Sequence, residues 1–141
     1  MRYKIFVDTN VLLSGIFFEG NESRILDLVE LDLVTSEDVV DELRKVAKKK
    51  LKYLKDRPFE IALAETENAL TDISIIPRTK YIHKLKDAVA LIDHKKDIPI
   101  LAAVLYAKPD YFLTGDAHFF SVKVKSIVNV STAKDFLAKI K

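Results

Sequence analysis

The sequence predicts an α/β protein with three layers, α/β/α, in which a central, mostly parallel sheet of five strands lies between helices. Short apolar runs such as Tyr3–Val7 and Tyr111–Leu113 alternate with longer stretches of helical periodicity. Apart from Lys4 these runs are apolar, which is typical of strands that are covered on both faces. Because 141 residues suit one domain, we expect a single domain over residues 1–141.

Turn residues, caps and apolar periodicity place the individual elements. Ser36 has the position of a helix N-cap, with Glu37 and Asp38 in the first turn. Asp97 is a second expected N-cap, and Pro99 lies in the first turn of the almost wholly apolar helix that follows. The predicted strands comprise residues 3–7, 33–35, 73–76, 111–113 and 127–130. The predicted helices comprise residues 23–31, 36–47, 58–70, 81–92, 100–107 and a C-terminal segment that ends at Lys139.

Composition excludes several kinds of site. The chain has no Cys, so disulfides and thiolate metal ligands are excluded. The three His residues are scattered along the sequence, which argues against a zinc site and predicts that any metal is held by oxygen. No apolar run approaches the ~20 residues of a membrane span, and the N-terminus lacks the pattern of a signal peptide. We therefore expect a soluble, cytoplasmic protein with no membrane partner.

The positive charge is concentrated in one segment. The formal net charge is only +2, which by itself does not indicate nucleic-acid binding. A phosphate backbone would nevertheless be attracted to a local cluster of basic residues. Alternatively, the cluster is a solvated helix end, where lysines oppose the negative pole of the helix dipole. The candidate RNA-binding residues are Lys48, Lys49, Lys50 and Lys52, followed by Lys55 and Arg57.

Four acidic residues are placed so that they can meet at one edge of the predicted sheet. Asp8 follows the first strand and Asp116 follows the strand Tyr111–Leu113, so both leave the sheet at its carboxyl edge. Asp97 begins the helix that leads into that strand, and Glu42 lies about two turns into the helix after the second strand. Like charges in one cleft repel unless a cation neutralises them. Mg²⁺ or Mn²⁺, which take oxygen ligands, would do so.

Each acidic residue also has an ordinary interpretation. Asp8 and Asp116 could be turn residues. Asp97 could be a helix cap, and Glu42 could be a solvated helix position. The combination is more informative than any single residue, because two independent strands end in a carboxylate at the same edge.

These residues give the sequence its resemblance to a PIN domain. The first strand ends in the motif DTNVLLS at residues 8–14, and Ser36 is followed by the motif DEL at residues 41–43. Asp97 precedes an Ala-rich helix, and the motif TGD follows at residues 114–116. Each motif is short, but the four occur in the family's order over almost the whole chain.

The resemblance implies a metal-dependent endoribonuclease, commonly the toxin of a VapBC-type toxin–antitoxin pair. It implies that one or two Mg²⁺ or Mn²⁺ ions orient a water for in-line attack on an RNA phosphodiester, with products that end in 5′-phosphate and 3′-hydroxyl. It further implies a small antitoxin that offers Arg or Lys to the carboxylates, and a homodimer. The implied catalytic and metal-binding residues are Asp8, Glu42, Asp97 and Asp116, with Asn10 and Thr114 as polar support.

The chain departs from the family pattern after the last motif. Many relatives carry a further acid there, where this chain has Ala117, His118 and Phe119. Asp93 could compensate or could be a solvated helix end, and we expect His118 to be a surface turn residue rather than a ligand. Asn10 could orient a carboxylate or cap the helix that follows.

Two other functions fit part of the pattern. A phosphoryl-accepting receiver module shares the alternating fold, but it needs paired acids after the first strand and a lysine after the last, and this chain has a lone Asp8 and no such lysine. A PIN-fold protein that processes or binds RNA with weak or no cleavage would keep the acidic pocket. Apolar residues that could form a partner interface, or else belong to the core, are Phe17, Phe18, Tyr53, Leu54 and Phe59.

Overall fold

Five parallel strands form the centre of the fold. The computed structural model describes residues 2–50 and 59–140. Every neighbouring pair of strands is parallel, and the order across the sheet is β3-β2-β1-β4-β5. Helices flank the sheet, so the predicted α/β/α class is confirmed. The strands are β1 (Tyr3–Val7), β2 (Leu31–Ser36), β3 (Ser74–Ile76), β4 (Tyr111–Leu113) and β5 (Val130–Ser131).

Helices connect the successive strands, as parallel pairing requires. Two short 3₁₀ turns, Ile82–Lys84 and Ala117–Phe120, interrupt these connections. The described helices are α1 (Thr9–Phe17), α2 (Asn21–Asp27), α3 (Glu37–Lys50), α4 (Phe59–Leu70), α5 (Arg78–Tyr81), α6 (Leu85–Val89), α7 (Asp97–Ala107), α8 (Val122–Lys125) and α9 (Ala133–Lys139).

The central strand β1 shows that both faces of the sheet are covered. Ile5, Phe6 and Val7 follow one another in β1, and none of the three is exposed to solvent. Successive side chains of a strand point to opposite faces, so a run of buried residues requires packing on each side. Phe6 also meets Phe112 of the neighbouring strand in an edge-to-face contact, with the ring centroids 5.5 Å apart.

Helix α7 is buried almost all round, as its apolar sequence predicts. Residues 100–104 are all buried, and the helix contacts α3, α5, α6 and β2. Because α7 is held on several sides, its first residue, Asp97, has a fixed position relative to the sheet.

The carboxyl ends of β1 and β4 lie side by side at the point where the strand order reverses. From β1 the chain passes to β2 on one side, whereas β4 pairs with β1 on the other side. In the register of β1 and β4, Val7 is opposite Leu113, the last residue of each strand. Open parallel sheets bind ligands at such a switch point, and the residues that follow Val7 and Leu113 are therefore the first to consider.

The helix predicted over residues 23–31 ends earlier than expected. Helix α2 stops at Asp27, and β2 already begins at Leu31, which is paired with Tyr3. The apolar spacing that suggested a longer helix included Val29, but this side chain is 83% exposed. Pairing with β1 has overridden the helical periodicity of this segment.

Two further predicted elements differ in extent. The helix predicted over residues 81–92 is divided into α5, the 3₁₀ turn Ile82–Lys84 and α6, which ends at Val89. The strand predicted over residues 127–130 is observed only as Val130–Ser131. Residues 127 and 128 cannot extend it, because their amides donate to the carbonyl of Val124 at the end of α8.

Among the described helices, none has the length and apolar character to cross a membrane.

Candidate active site

Asp8 is held at the junction of β1 and α1. Its amide donates to the carbonyl of Leu113 at 3.1 Å, so the end of β1 is tied to the end of β4. Its side chain is the N-cap of α1 and accepts from the amide of Thr9 at 2.7 Å. The second carboxylate oxygen accepts from the hydroxyl of Thr114 at 2.6 Å. Asp8 is therefore buried, at 3% exposure, with both carboxylate oxygens bonded.

Thr114 links Asp8 to Asp116. The hydroxyl that donates to Asp8 also accepts from the amide of Asp116 at 3.0 Å. The carboxylate of Asp8 and the backbone of Asp116 are thus joined through one buried side chain. The sequence predicted Thr114 as polar support, and these two bonds are what such a position would make.

The surroundings of Asp8 disfavour the ionised form of its carboxyl group. Burial raises its pKa from 3.8 to about 6. The hydrogen bonds from Thr114 and Thr9 oppose this rise, and the negative charges of Glu42 and Asp116 add to it. Glu42, on α3, is therefore close enough to Asp8 to repel it, as the sequence predicted for a shared cleft.

Asp97 lies at the first residue of α7 and faces the same cleft. The prediction that it caps the helix is wrong: the N-cap position is Lys96, and the amide of Asp97 already donates to the carbonyl of His94. Since the side chain is not used as a cap, it is available to the cleft. It is 8% exposed and lies 2.8 Å from Nδ1 of His118.

Two histidines that the sequence did not assign to the site are part of it. His118 Nδ1 lies 2.8 Å from Asp97 Oδ2 and 3.3 Å from Asp116 Oδ1. The ring of His94 stacks on the ring of His118, with centroids 3.6 Å apart. The three histidines are scattered in the sequence, but two of them, His94 and His118, are in contact in space. His118 does lie in an exposed 3₁₀ turn, but it also contacts two of the predicted site residues.

These side chains surround an open cavity of about 790 Å³. Asp8 is not among its lining residues, because its side chain is buried. The acidic lining residues are Asp38, Asp41, Glu42, Asp97 and Asp116, the histidines are His94 and His118, and the lysines are Lys45, Lys49, Lys95 and Lys96.

The basic rim of the cavity differs from the predicted one. Lys49 lines the cavity, whereas Lys48 is exposed elsewhere on α3. Lys52 and the side chain of Lys50 lie outside the described residues, as do Lys55 and Arg57. Lys45, on α3, and Lys95 and Lys96, before α7, were not predicted, because their proximity depends on how the two segments pack.

An ion-pair network holds the start of α3. Arg78 of α5 contacts Glu37 at 2.8 Å, and Asp38 and Asp41 each at 3.0 Å. The hydroxyl of the buried Tyr81 donates to Asp38, and burial together with this bond raises the pKa of Tyr81 to about 12. The network fixes the helix that carries Glu42. It was not predicted, because Arg78 and α3 are distant in sequence.

The positions of Asn10 and Asp93 bear on the alternatives that the sequence left open for these two residues. Asp8 caps α1, so the alternative in which Asn10 is the cap is wrong; Asn10 is exposed in the first turn of that helix. Asp93 is exposed and is not among the residues that line the cavity, as expected for a solvated position.

The fold and the cleft together define a class of protein. Carboxylates gathered at the switch point of a parallel sheet can hold a divalent cation, and the lysines at the rim can attract a phosphate backbone. The chain belongs to the PIN domain family, since the family model for the PIN domain matches residues 6–135. The family suggested by the sequence motifs is confirmed, and membership supports a nuclease at this coarse level.

Several solved structures share the fold. VapBC2 from Rickettsia felis, bound to a DNA fragment from its promoter, has a TM-score of 0.64 at 18% identity, covering 92% of this chain and 98% of that chain. VapBC-1 from nontypeable Haemophilus influenzae has a TM-score of 0.67 at 16% identity, covering 93% and 98%. A toxin–antitoxin complex from Klebsiella pneumoniae has a TM-score of 0.65 at 17% identity, covering 92% and 97%. At these identities the likeness establishes the fold. No curated protein matches the chain at a significant level.

Proposed function

We propose that this protein is a divalent-metal-dependent endoribonuclease formed by a single PIN domain, with Asp8, Glu42, Asp97 and Asp116 as its catalytic and metal-binding residues. The observation that carries the proposal is the environment of Asp8. Its carboxylate is buried, bonded through Thr114 to the backbone amide of Asp116, and repelled by the charges of Glu42 and Asp116. A protein that used Asp8 only as a helix cap would not need further carboxylates around it.

The donor set fits a hard divalent cation. The pKa of Asp8 is raised to about 6, so its ionised form is unfavourable until a positive charge is placed beside it. The four carboxylates supply oxygen ligands, which Mg²⁺ and Mn²⁺ prefer. When bound, such an ion would activate a water and stabilise the charge that develops on the scissile phosphate. Asn10 and Thr114 are proposed as supporting residues, and Thr114 would keep Asp8 and Asp116 in register.

RNA is the proposed substrate because lysines from two separate segments line the cleft. Lys45 and Lys49 of α3 and Lys95 and Lys96 before α7 line the cavity that contains the acidic residues. Lysines in this position would hold the phosphates on either side of the scissile bond and offset the negative charge of the cleft. Products with 5′-phosphate and 3′-hydroxyl ends would follow if water attacked the phosphorus opposite the 3′ oxygen, so that the P–O3′ bond breaks and the 3′ oxygen leaves as the hydroxyl.

A protein partner is proposed from the structural neighbours. The three solved structures described above are toxin–antitoxin complexes, so we propose a small antitoxin that covers the acidic cleft and a homodimer of this chain. Phe18 is 58% exposed and could join an interface, whereas Phe17 packs against the core. Tyr53 and Leu54, and the side chain of Phe59, lie outside the described residues. The cytoplasmic location stays a prediction.

The test of the proposed function is Asp8→Asn, assayed on mixed-sequence RNA with Mg²⁺, with Mn²⁺ and with EDTA. We expect the wild type to cleave only with the metals. Loss of a residue that only supports a metal ligand typically lowers activity by about 10- to 100-fold. Because Asp8 is proposed as a ligand itself, cleavage by the variant should fall by more than that. Asp72→Asn, at an exposed position outside the cleft, is the matched control and should cleave as the wild type does.

Folding of Asp8→Asn is checked by its unfolding midpoint without metal, which should be equal to or above that of the wild type because a buried charge is removed. Full cleavage by a folded Asp8→Asn, or cleavage by the wild type in EDTA, would refute the proposed function.

A further inference from the structure

We propose that His94, Asp97 and His118 form a mixed nitrogen and oxygen metal site, which takes a divalent first-row transition ion in preference to Mg²⁺. The binding itself is independent of the nuclease reaction; only the use of the ion in cleavage rests on the proposed function. The site lies in the same cavity as the carboxylate cluster, and Asp97 belongs to both sets.

The three side chains are close enough to share one ion. Each offers a ligand atom, and these atoms all lie within 4.8 Å of one another. Ligands bound at about 2.0–2.2 Å to a common ion are separated by roughly 3–4 Å. The distance of 2.8 Å from His118 Nδ1 to Asp97 Oδ2 would therefore have to widen slightly, and any pair of ligand atoms near the limit of 4.8 Å would have to come closer.

The backbone holds the three ligands in place. The carbonyl of His94 accepts from the amides of Asp97 at 3.0 Å and Ile98 at 3.2 Å, so His94 is tied to the first turn of α7. On the other side of the cleft, the amide of His118 donates to Asp116 Oδ1 at 2.9 Å. Two anchored segments, 21 residues apart in the sequence when counted from Asp97 to His118, thus present their side chains to one point. Rearrangement on binding can be confined to the side chains.

The cost of that rearrangement is low because the moving groups are exposed. His94 and His118 are both exposed, and the side chain of His118 is 44% accessible. Their rings are nearly parallel, with an angle of 10° between them. An imidazole lone pair lies in the plane of its ring, so one ring must turn out of the stack to reach a shared ion. Asp97, by contrast, is buried and would serve as the fixed ligand.

The ligand chemistry selects the class of ion. Imidazole suits Zn²⁺, Fe²⁺, Ni²⁺ and their first-row neighbours, whereas Mg²⁺ prefers oxygen and gives up its waters reluctantly. Two histidines and one carboxylate are an established ligand set for such ions, and they leave coordination positions open. Asp116 Oδ1, at 3.3 Å from His118 Nδ1, lies close enough to add a second oxygen. The pocket is open, so water or a phosphate oxygen can reach the remaining positions.

The proposal is tested by titrating tag-free protein with Co²⁺ alone. Binding is monitored by calorimetry and by the visible absorption of the bound ion. RNA is absent, so the result does not depend on nuclease activity. The variant is the double substitution His94→Ala and His118→Ala. The control is His83→Ala, which changes the one histidine of the chain outside the proposed site. His83 is exposed, and its ring lies against Tyr106.

We expect the double variant to bind Co²⁺ at least about tenfold more weakly than the wild type and the control, and to lose the absorption of nitrogen-ligated Co²⁺. Its affinity for Mg²⁺ should change by less than about threefold, because the carboxylates remain. Equal Co²⁺ affinity in a folded double variant and in the wild type would overturn the proposal, and would show that His118 only pairs with Asp97 and Asp116.

The two proposals can fail separately. If the wild type never cleaves RNA but the double variant loses Co²⁺ binding, the metal site stands and the nuclease proposal falls. If the wild type cleaves RNA with Mg²⁺ and the double variant keeps its full Co²⁺ affinity, the reverse holds.

Discussion

At the scale of single residues, the burial of Asp8 has a measurable consequence for stability. Folded Asp8 keeps its proton up to about pH 6, whereas the unfolded chain loses it near 3.8. Between these values the folded state binds more protons, so the contribution of Asp8 to the free energy of unfolding falls as the pH rises. Below pH 3.8 Asp8 causes no destabilisation, and above about pH 6 the destabilisation is complete.

We therefore predict that, in EDTA, Asp8→Asn becomes progressively more stable relative to the wild type from pH 4 to pH 7. A shift from 3.8 to about 6 corresponds to about 3 kcal/mol in the difference between the two free energies of unfolding. Urea unfolding at several pH values measures it. Mn²⁺ should reduce the difference at pH 7, because the ion binds the ionised cluster of the wild type. A difference that does not vary with pH would contradict the burial of an ionisable Asp8.

The residues of the site show what a sequence can and cannot predict. Asp8 and Asp116 were predictable because each follows an apolar strand, and the ends of parallel strands meet at one edge. His94 and His118 were not, because nothing local to either one shows that the turn before α7 packs against the turn after β4. The same holds for Arg78, whose partners all lie on α3.

At the scale of elements, strands and one buried helix were predicted best. Apolar runs identified the five strands, and the nearly uniform apolarity of α7 identified it as a helix that is buried almost all round. Boundaries were less predictable, because they depend on pairing between distant segments. Residues 28–31 have helical spacing, but the register with β1 places Leu31 in a strand.

The contact between α1 and α2 supplies a prediction at this scale. A Cβ atom at Gly15 would lie 2.5 Å from Cδ1 of Leu26 and 3.0 Å from the carbonyl oxygen of Glu22. Alanine is the better helix former by about 1 kcal/mol, but here the added methyl group overlaps the neighbouring helix. We expect Gly15→Ala to lower the free energy of unfolding by about 1–3 kcal/mol, the usual cost of overpacking.

Chemical denaturation of a double-mutant cycle with Leu26→Ala measures this effect. The cycle should show strong coupling, because the smaller side chain at position 26 removes most of the overlap. A stabilised Gly15→Ala, or additive effects of the two substitutions, would contradict the close packing of α1 on α2.

At the scale of the whole molecule, basic and acidic side chains are gathered at one cavity, although the formal net charge is only +2. Two of the lysines that line it, Lys45 and Lys49, belong to α3, and two others, Lys95 and Lys96, precede α7. Cations from two separate segments can hold a polyanion at more points than cations from a single helix can.

We predict that Lys45→Ala with Lys49→Ala, and separately Lys95→Ala with Lys96→Ala, each weaken the binding of single-stranded RNA in EDTA. The plot of log affinity against log salt concentration should become shallower by about 0.7 for each phosphate contact that is lost. Fluorescence anisotropy at several salt concentrations measures both quantities. The control is Lys123→Ala with Lys125→Ala, on α8 and outside the cavity. An equal loss in the control would mean that only the overall charge matters.

The junction between β1 and α1 contains a single residue, which has a consequence for how the molecule tolerates change. Val7 ends the strand, Thr9 begins the helix, and Asp8 is bonded to both the sheet and the helix. An inserted residue would turn every later position of the helix by about 100° and detach the carboxylate from its anchor. Loops elsewhere can lengthen, and new chain termini can be opened in them, but this junction should accept neither. Libraries of random single-residue insertions, sorted for folded protein, should therefore show a sharp gap at this point.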